Sequence, residues 1–300
     1  MRTAQNTVTV ERTEMMDLGA MTQKMDELAA SAVTDTNAIR RSLPDVAAHV
    51  LELCQLTCTD AGRVEKEVTR DPFISGQLVA VANSAMFAPR MPIIGVRDAV
   101  VRLGLDNVCD IVMMVVNGST MFRVPGFESH VDLLRKRGLA AAIACRTMAK
   151  VFRFAAENAF LAGLMHDIGE LVLLERCAKV GGITPAMLED LHFGPVIKAA
   201  IRRLHTELGG AVCGIWKMPA SVVDAAAYHH NCKRNDNRHL TTALAAAADV
   251  ICDHLGLGNG SPGELPYEHT AFADLKLSPD QINQVVTETQ KSLPTLSGGH

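Results

Sequence analysis

Six side chains in the second half of the sequence have the types and spacing of a metal or phosphate site. His166 and Asp167 are adjacent inside the apolar stretch LAGLMHDIGELVLLE, 161–175. His205 follows in RRLHTELGG, the pair His229-His230 in AAAYHHN, and Asp249 in ALAAAADVIC. Burying an imidazole and a carboxylate among leucines is costly unless they pair or ligate a cation. Imidazole nitrogen with carboxylate oxygen suits iron, manganese, magnesium or zinc. A lone histidine on an apolar face has a plainer explanation as a hydrogen-bonded core residue. The order His-Asp, His, His-His, Asp is harder to explain that way. Weaker candidates are basic: Arg135, Lys136, Arg137, Arg146, Lys150 and Arg153 around one helix, and Lys198, Arg202 and Arg203 near His205. They could hold a phosphate if their faces converge, or they are an ordinary solvated surface.

The elements that must position these groups are helical. The chain has 300 residues, 48% hydrophobic and 4% aromatic, and apolar residues recur at three to four rather than two. The expectation is an all-α protein. The β-branched run 111–116 (IVMMVV) reads as buried helix. Pro44 suits a first helical turn, and Asp71 before Pro72 suits a cap. Helices are expected at about 129–153, 156–175, 185–192, 195–215, 220–231, 239–255 and 278–291. A Gly/Pro-rich stretch occupies 256–266, and the end, SGGH, reads as flexible. Residues 1–37 read as an extension, either one helix docked through Met16, Leu18, Met21, Met25, Leu28 and Ala29 or a frayed terminus. Asn83-Ser84 reads as a helix end and subdomain contact, Trp216 with Pro219 as core and turn, and the fourteen methionines as core packing.

Net charge is −4 and the isoelectric point about 6.3, which weighs against a general nucleic-acid binder. No apolar run approaches the ~18 residues of a membrane span, and the N-terminus lacks the apolar core of a secretory signal. Eight cysteines without a C-x-x-C pair read as reduced thiols in a cytoplasm. Cys54 and Cys58, four apart, could share a helix face but lack a second pair for zinc.

Five segments together resemble the HDOD proteins, a signalling branch related to the HD phosphohydrolases. They are LPDVAAHVLEL, RDPFISGQLVAVANSAMF, IIGVRDAVVRLGLDNVCDIVM, AFLAGLMHDIGELVLL and HTELGGAVCGIWKMPASVVDAAAYHH. The resemblance covers about 40–256. It implies a helical N-terminal subdomain (40–125) packed on an HD-like helical bundle (126–256), with a tail over 257–300. It implies an HD metal site on His166, Asp167 and Asp249. His205 and one of His229 or His230 would then serve a second metal or orient a phosphate. HD enzymes take one more histidine from the preceding long helix, and that position aligns with Arg137. The nearest upstream histidine, His130, lies two helical turns away, about 10 Å along the axis. A guanidinium there would repel a metal, and it could pair with Asp167 or bind an anion. The implied function is a bacterial signal-transduction output module in which binding replaces turnover. Its partner would be a signalling protein or a nucleotide-like ligand, and a homodimer is open. The alternative is a metal-dependent phosphohydrolase acting on a nucleotide or cyclic nucleotide. Family members are often fused to other signalling domains; none occurs in these 300 residues, so a stand-alone version is expected.

Overall fold

The computed structural model describes residues 2–56, 58–84, 87, 91–118, 124–154, 156–232, 240–258 and 263–297, with side chains from Leu18 onward except at 41, 181 and 295–297. Among the described residues there is no strand. The helices in chain order are α1 (Arg2–Thr34), α2 (Thr36–Ser42), α3 (Asp45–Cys54), α4 (Ala61–Val68), α5 (Pro72–Ala82), α6 (Val96–Leu103), α7 (Leu105–Gly118) and α8 (Glu128–Val151). They continue as α9 (Ala159–Met165), α10 (Ile168–Arg176), a π-turn at Cys177–Gly181, α11 (Pro185–Glu189), α12 (Gly194–Ile215), α13 (Ala220–Tyr228), α14 (Leu240–His254), α15 (Thr270–Asp274) and α16 (Pro279–Ser297).

Local chemistry sets many of these boundaries. The carboxylates of Asp35, Asp60 and Asp71 accept from free N–H groups in the first turns of α2, α4 and α5, which removes unsatisfied donors there. Gly104, at φ 77°, turns the chain sharply between α6 and α7, a conformation that a side chain would strain. Pro44 stands at the N-cap of α3, just outside the first turn.

Helices α3 to α7 pack on one another around Val64, Val68, Leu78 and the run Ile111–Val116, which is helical and buried. Helices α8, α9, α10, α12, α13 and α14 form a second packed set, joined to the first where α7 meets α8 and α9. Helix α1 lies along α12 and α10, burying Met21, Met25, Leu28, Ala29 and Ala32. Leu18 is half-buried, and the Met16 side chain lies outside the described residues. Trp216 is buried, and its indole N–H donates to the Ile39 carbonyl.

Several expectations are corrected. The expected helix 156–175 is two helices, α9 and α10, with His166 and Asp167 in the break between them. Apolar residues run on through the break, so periodicity alone does not mark it. Cys58 lies beyond the end of α3 and is exposed, so it shares no helix face with Cys54. The Asn83 side chain bonds to the backbone of Ile93 and Val79, within the α3–α7 set rather than across to the other. The last helix runs past 291 to Ser297; its first half is packed toward α8 through Ile282, Val285 and Val286. Of SGGH, residues 298–300 lie outside the described residues, as do 259–262 of the Gly/Pro-rich stretch.

Candidate functional site

Four helices and one break bring the expected residues to one place. Arg137 comes from α8, His166 and Asp167 from the α9–α10 break, His205 from α12, His229 and His230 from the end of α13, and Asp249 from α14. The break reaches the center because its flanking helices sit unusually close to their neighbours. A Cβ on Gly163 would lie 2.5 Å from the Ala141 carbonyl oxygen of α8, and one on Gly169 would lie 2.0 Å from the His205 carbonyl oxygen of α12. Only glycine fits at either position.

Arg137 is the hub. Its Nε donates to Asp167 Oδ2 at 2.8 Å, its Nη1 to Asp253 Oδ1 at 2.7 Å, and its Nη2 to Asp249 Oδ1. Nη1 also reaches the Leu257 carbonyl at 3.3 Å. Three carboxylates thus surround one planar guanidinium, which offers several fixed donors at once. Arg137, Asp167 and Asp249 are buried, whereas the Asp253 side chain is half in solvent.

The histidines share one orientation. Nδ1 of His166 faces the Gly163 carbonyl at 2.8 Å, that of His205 the Ile201 carbonyl at 3.1 Å, and that of His229 the Ala225 carbonyl at 3.0 Å. A carbonyl only accepts, so each Nδ1 carries the hydrogen and each Nε2 points inward. His166 Nε2 lies 3.0 Å from Asp167 Oδ2 and 3.4 Å from Asp249 Oδ1. The closer approach is poorly aligned and is an ionic contact rather than a directed hydrogen bond. His205 Nε2 and His229 Nε2 each lie 3.4 Å from Asp167 Oδ1 and 3.3 Å from one another. His230 Nδ1 is 3.7 Å from Asp249 Oδ2.

Burial and charge oppose one another here. Burial alone would lower the pKa of His166, but the Asp167 carboxylate beside it, helped by Asp249, pushes it up to about 10. Burial would raise Asp167, yet His166, His229 and Arg137 hold it well below the usual carboxylate range. Asp249 is likewise held low, against burial, by His166 and Arg137. Burial lowers His205. Burial and the neighbouring His229 bring His230 down to about 4. At neutral pH, Arg137 and His166 are therefore cations facing the anions Asp167 and Asp249.

A cleft of about 520 Å³ opens over this cluster, with Lys198, Arg202 and Glu170 on its walls. The basic run does not converge as a whole. Arg203 turns away to Asp26, Arg135 pairs with Asp132, and Arg146 lies over the rings of Phe87 and Phe160 far along α8. Sequence reasoning missed Asp253. Its signal was present, because it stands four residues after Asp249 and shares that face of α14.

The donor set fits a metal in one half and not in the other. Two groups place ligand atoms within 4.8 Å of one another: His205, His229 and His230, and His166, Asp167 and His229. The second competes with Arg137 for Asp167 Oδ2, and the guanidinium also holds Asp249. The first faces the free oxygen of Asp167.

Comparison with known proteins supports the architecture. An uncharacterized protein of Treponema pallidum (strain Nichols) is 22% identical over 234 residues, covering 75% of this chain and 43% of that protein. The chain thus spans less than half the length of this relative. A candidate metal-dependent phosphohydrolase from Shewanella amazonensis SB2B has a similar structure, with a TM-score of 0.67 at 17% identity, over 92% of this chain and 99% of that one. An HDOD domain protein of unknown function from Geobacter sulfurreducens gives 0.61 at 20% identity, over 85% and 90%. A candidate signal transduction protein from Marinobacter aquaeolei VT8 gives 0.68 at 19% identity, over 92% and 65%. At these identities the likeness is one of fold. The sequence profile of the HDOD domain, however, matches residues 41–232, well over half of the chain, and on that match the protein is a member of the HDOD family.

Proposed function

We propose that this chain is a bacterial signal-transduction output module. In this reading it acts by binding a partner protein or a small anionic ligand at its HD-like cleft rather than by hydrolysis. One observation carries the reading: the Arg137 guanidinium lies between Asp167 and Asp249, the carboxylates an HD hydrolase would use for its metal. A metal there would supply a hydroxide and polarise a phosphoryl group. Here Arg137 already holds Oδ2 of Asp167 and Oδ1 of Asp249, so those two oxygens are engaged by a guanidinium rather than open to a metal. Lys198 and Arg202 bring positive charge to the mouth of the cleft, where it draws anions over a range set by salt. Five of the eight cysteines are buried, where they act as small apolar core residues. Among the described residues, no helix is long and apolar enough to cross a membrane.

The histidine set favours the second reading, a metal-dependent phosphohydrolase. One assay separates the two. Purified protein and an Asp167→Ala variant are incubated with aryl phosphates, nucleotides and cyclic dinucleotides in magnesium, manganese or zinc. No turnover is expected from either. Turnover that disappears in Asp167→Ala overturns the binding reading. In a parallel calorimetric titration with pyrophosphate, Lys198→Glu combined with Arg202→Glu should weaken binding about tenfold or more, as expected for lost cationic contacts.

A further inference from the structure

Away from the histidine cluster, two cysteines from different helices share one small space. Cys54 ends α3, and Cys109 lies in the second turn of α7. Helices α3 and α7 are packed together. The Cys54 thiol donates to the Leu105 carbonyl, 3.5 Å from its sulfur. Leu105 stands four residues, one helical turn, before Cys109. Helical side chains lean back over the preceding turn, so the Cys109 side chain leans toward that same carbonyl. Both cysteines line a cavity of about 30 Å³, together with Asp106 and Asp110 of α7, Asn158 and Pro219. Such a space has room for about two water-sized oxygens, the size of hydrogen peroxide.

The two thiols are unlike. Cys109 is buried, whereas Cys54 is half-buried. A hydrogen bond from the Cys109 thiol holds Cys54 below the ordinary thiol range, against burial and the carboxylates of Asp106 and Asp110. The same bond, with burial, pushes Cys109 up. One sulfur is thus a nucleophile, and the other stands beside it in reserve. Burial also pushes Asp110 up to about 7, so below that pH one of the two carboxylates carries no charge to oppose a Cys54 thiolate. The remaining buried cysteines differ. Burial pushes the thiols of Cys145, Cys177, Cys213 and Cys252 up, which leaves them inert.

We infer that Cys54 and Cys109 are a peroxide-oxidised pair that closes into a reversible disulfide between α3 and α7. The Cys54 thiolate attacks one oxygen of hydrogen peroxide. The S–O bond forms, the O–O bond breaks, and the departing hydroxide takes up the proton that Cys54 had released. The Cys109 sulfur then attacks the Cys54 sulfur. The S–S bond forms, the S–O bond breaks, and the second hydroxide leaves as water with the Cys109 proton. Two thiols and one peroxide give one disulfide and two waters, and the two electrons lost by the thiols reduce the peroxide. A dithiol reductant reverses the bond by exchange. Its place in the fold gives it a consequence. The Gln55 side chain donates to the Lys217 carbonyl at 2.9 Å, and Asn158 and Pro219 directly precede α9 and α13, the helices that end at His166 and His229. A bond tying α3 to α7 therefore lies where the N-terminal helices meet both.

The test uses the whole chain, reduced and then freed of reductant. It is treated with a few equivalents of hydrogen peroxide, unfolded in guanidinium and alkylated, and its intact mass is read. The untreated protein takes one alkyl group on each of its eight cysteines. The treated protein is expected to take two fewer, and dithiothreitol should restore both. A non-reducing digest should join the peptides that carry Cys54 and Cys109. Cys54→Ser and Cys109→Ala should each abolish the bond, and Cys58→Ser should keep it. In Cys109→Ala, Cys54 should stop at the sulfenic acid and be captured by dimedone, a signal that lost packing would not produce. Each variant is first compared with the parent by its melting transition, and Cys109→Val repeats the test if Cys109→Ala does not fold.

Full alkylation of the treated parent overturns the inference. So does a two-thiol loss that survives Cys54→Ser, disappears in Cys58→Ser, or runs as a covalent dimer on a non-reducing gel. Dimedone capture at Cys58 in place of Cys54 overturns it as well.

Discussion

Arg137 is the residue on which the buried charges depend. Arg137→Ala leaves Asp167 and Asp249 facing one another with His166 as their remaining buried cation. Removing one partner of a buried pair costs about 3–5 kcal/mol, and a loss of that size is expected in urea unfolding. Arg137→Lys keeps the charge but cannot reach three carboxylates from one ammonium, so its loss should fall between the variant and the parent. A second residue makes a pH prediction away from this cluster. Asp110 on α7 is half-buried, and burial raises its pKa to about 7 despite the opposing charge of Arg146, with Asp106 adding to the rise. The folded state thus holds a proton that the unfolded chain releases near pH 4. Stability on this account falls as pH rises from about 4 to 7 and then levels off. Asp110→Asn should remove that slope and gain about 1–2 kcal/mol at pH 8. The full shift would be worth about 4, and partial exposure reduces it. Parallel unfolding curves at pH 5 and pH 8 would check it. His166, Asp167 and Asp249 were legible in sequence because each is a polar residue stranded among apolar ones, whereas His205 lies in the polar run RRLHTELGG and carries no such signal. Asp253 was overlooked although it stands four residues after Asp249 on α14, because its half-exposed side chain reads as ordinary surface until Arg137 is seen to reach it.

At the scale of elements, the glycines of the break do what no polar residue does. Gly169→Ala would drive a methyl group into the backbone of α12, and Gly163→Ala one into α8. Neither neighbour is a flexible side chain that can swing aside. Each substitution is expected to cost about 3 kcal/mol or more, beyond ordinary overpacking. Gly76→Ala is the control: the position is helical and open, so a gain of about 0.5–1 kcal/mol is expected. Differences in Tm and urea midpoint would separate the three. The helix start at Asp71 was legible because capping involves only the next few residues, whereas the start of α2 behind Asp35 was not expected. The α9–α10 break was not, because apolar residues continue through it and its cause lies in helices distant in sequence.

Across the whole molecule, α1 covers the back of the wall that carries His205. Deleting residues 1–34 removes Met21, Met25 and Leu28 and uncovers the faces of α12 and α10 on which α1 lies. Burial of two methionines and one leucine, at about 1.5–3 kcal/mol each, amounts to roughly 5 kcal/mol. The shortened chain should unfold at lower denaturant and bind an apolar dye, whereas the parent should not. Sequence alone left this helix as either docked or frayed, because a stripe of methionines does not say what it lies against. The arrangement has a thermodynamic consequence. Residues two apart on a helix point about 200° from one another, so on α12 Arg203 reaches out to Asp26 of α1 while His205 reaches into the cluster. Helix α12 stands between them. Undocking of α1 and occupation of the cleft therefore act on the same partition. By reciprocity, whatever factor a cleft ligand adds to the hold on α1, a competitor that lifts α1 away takes from the affinity for that ligand.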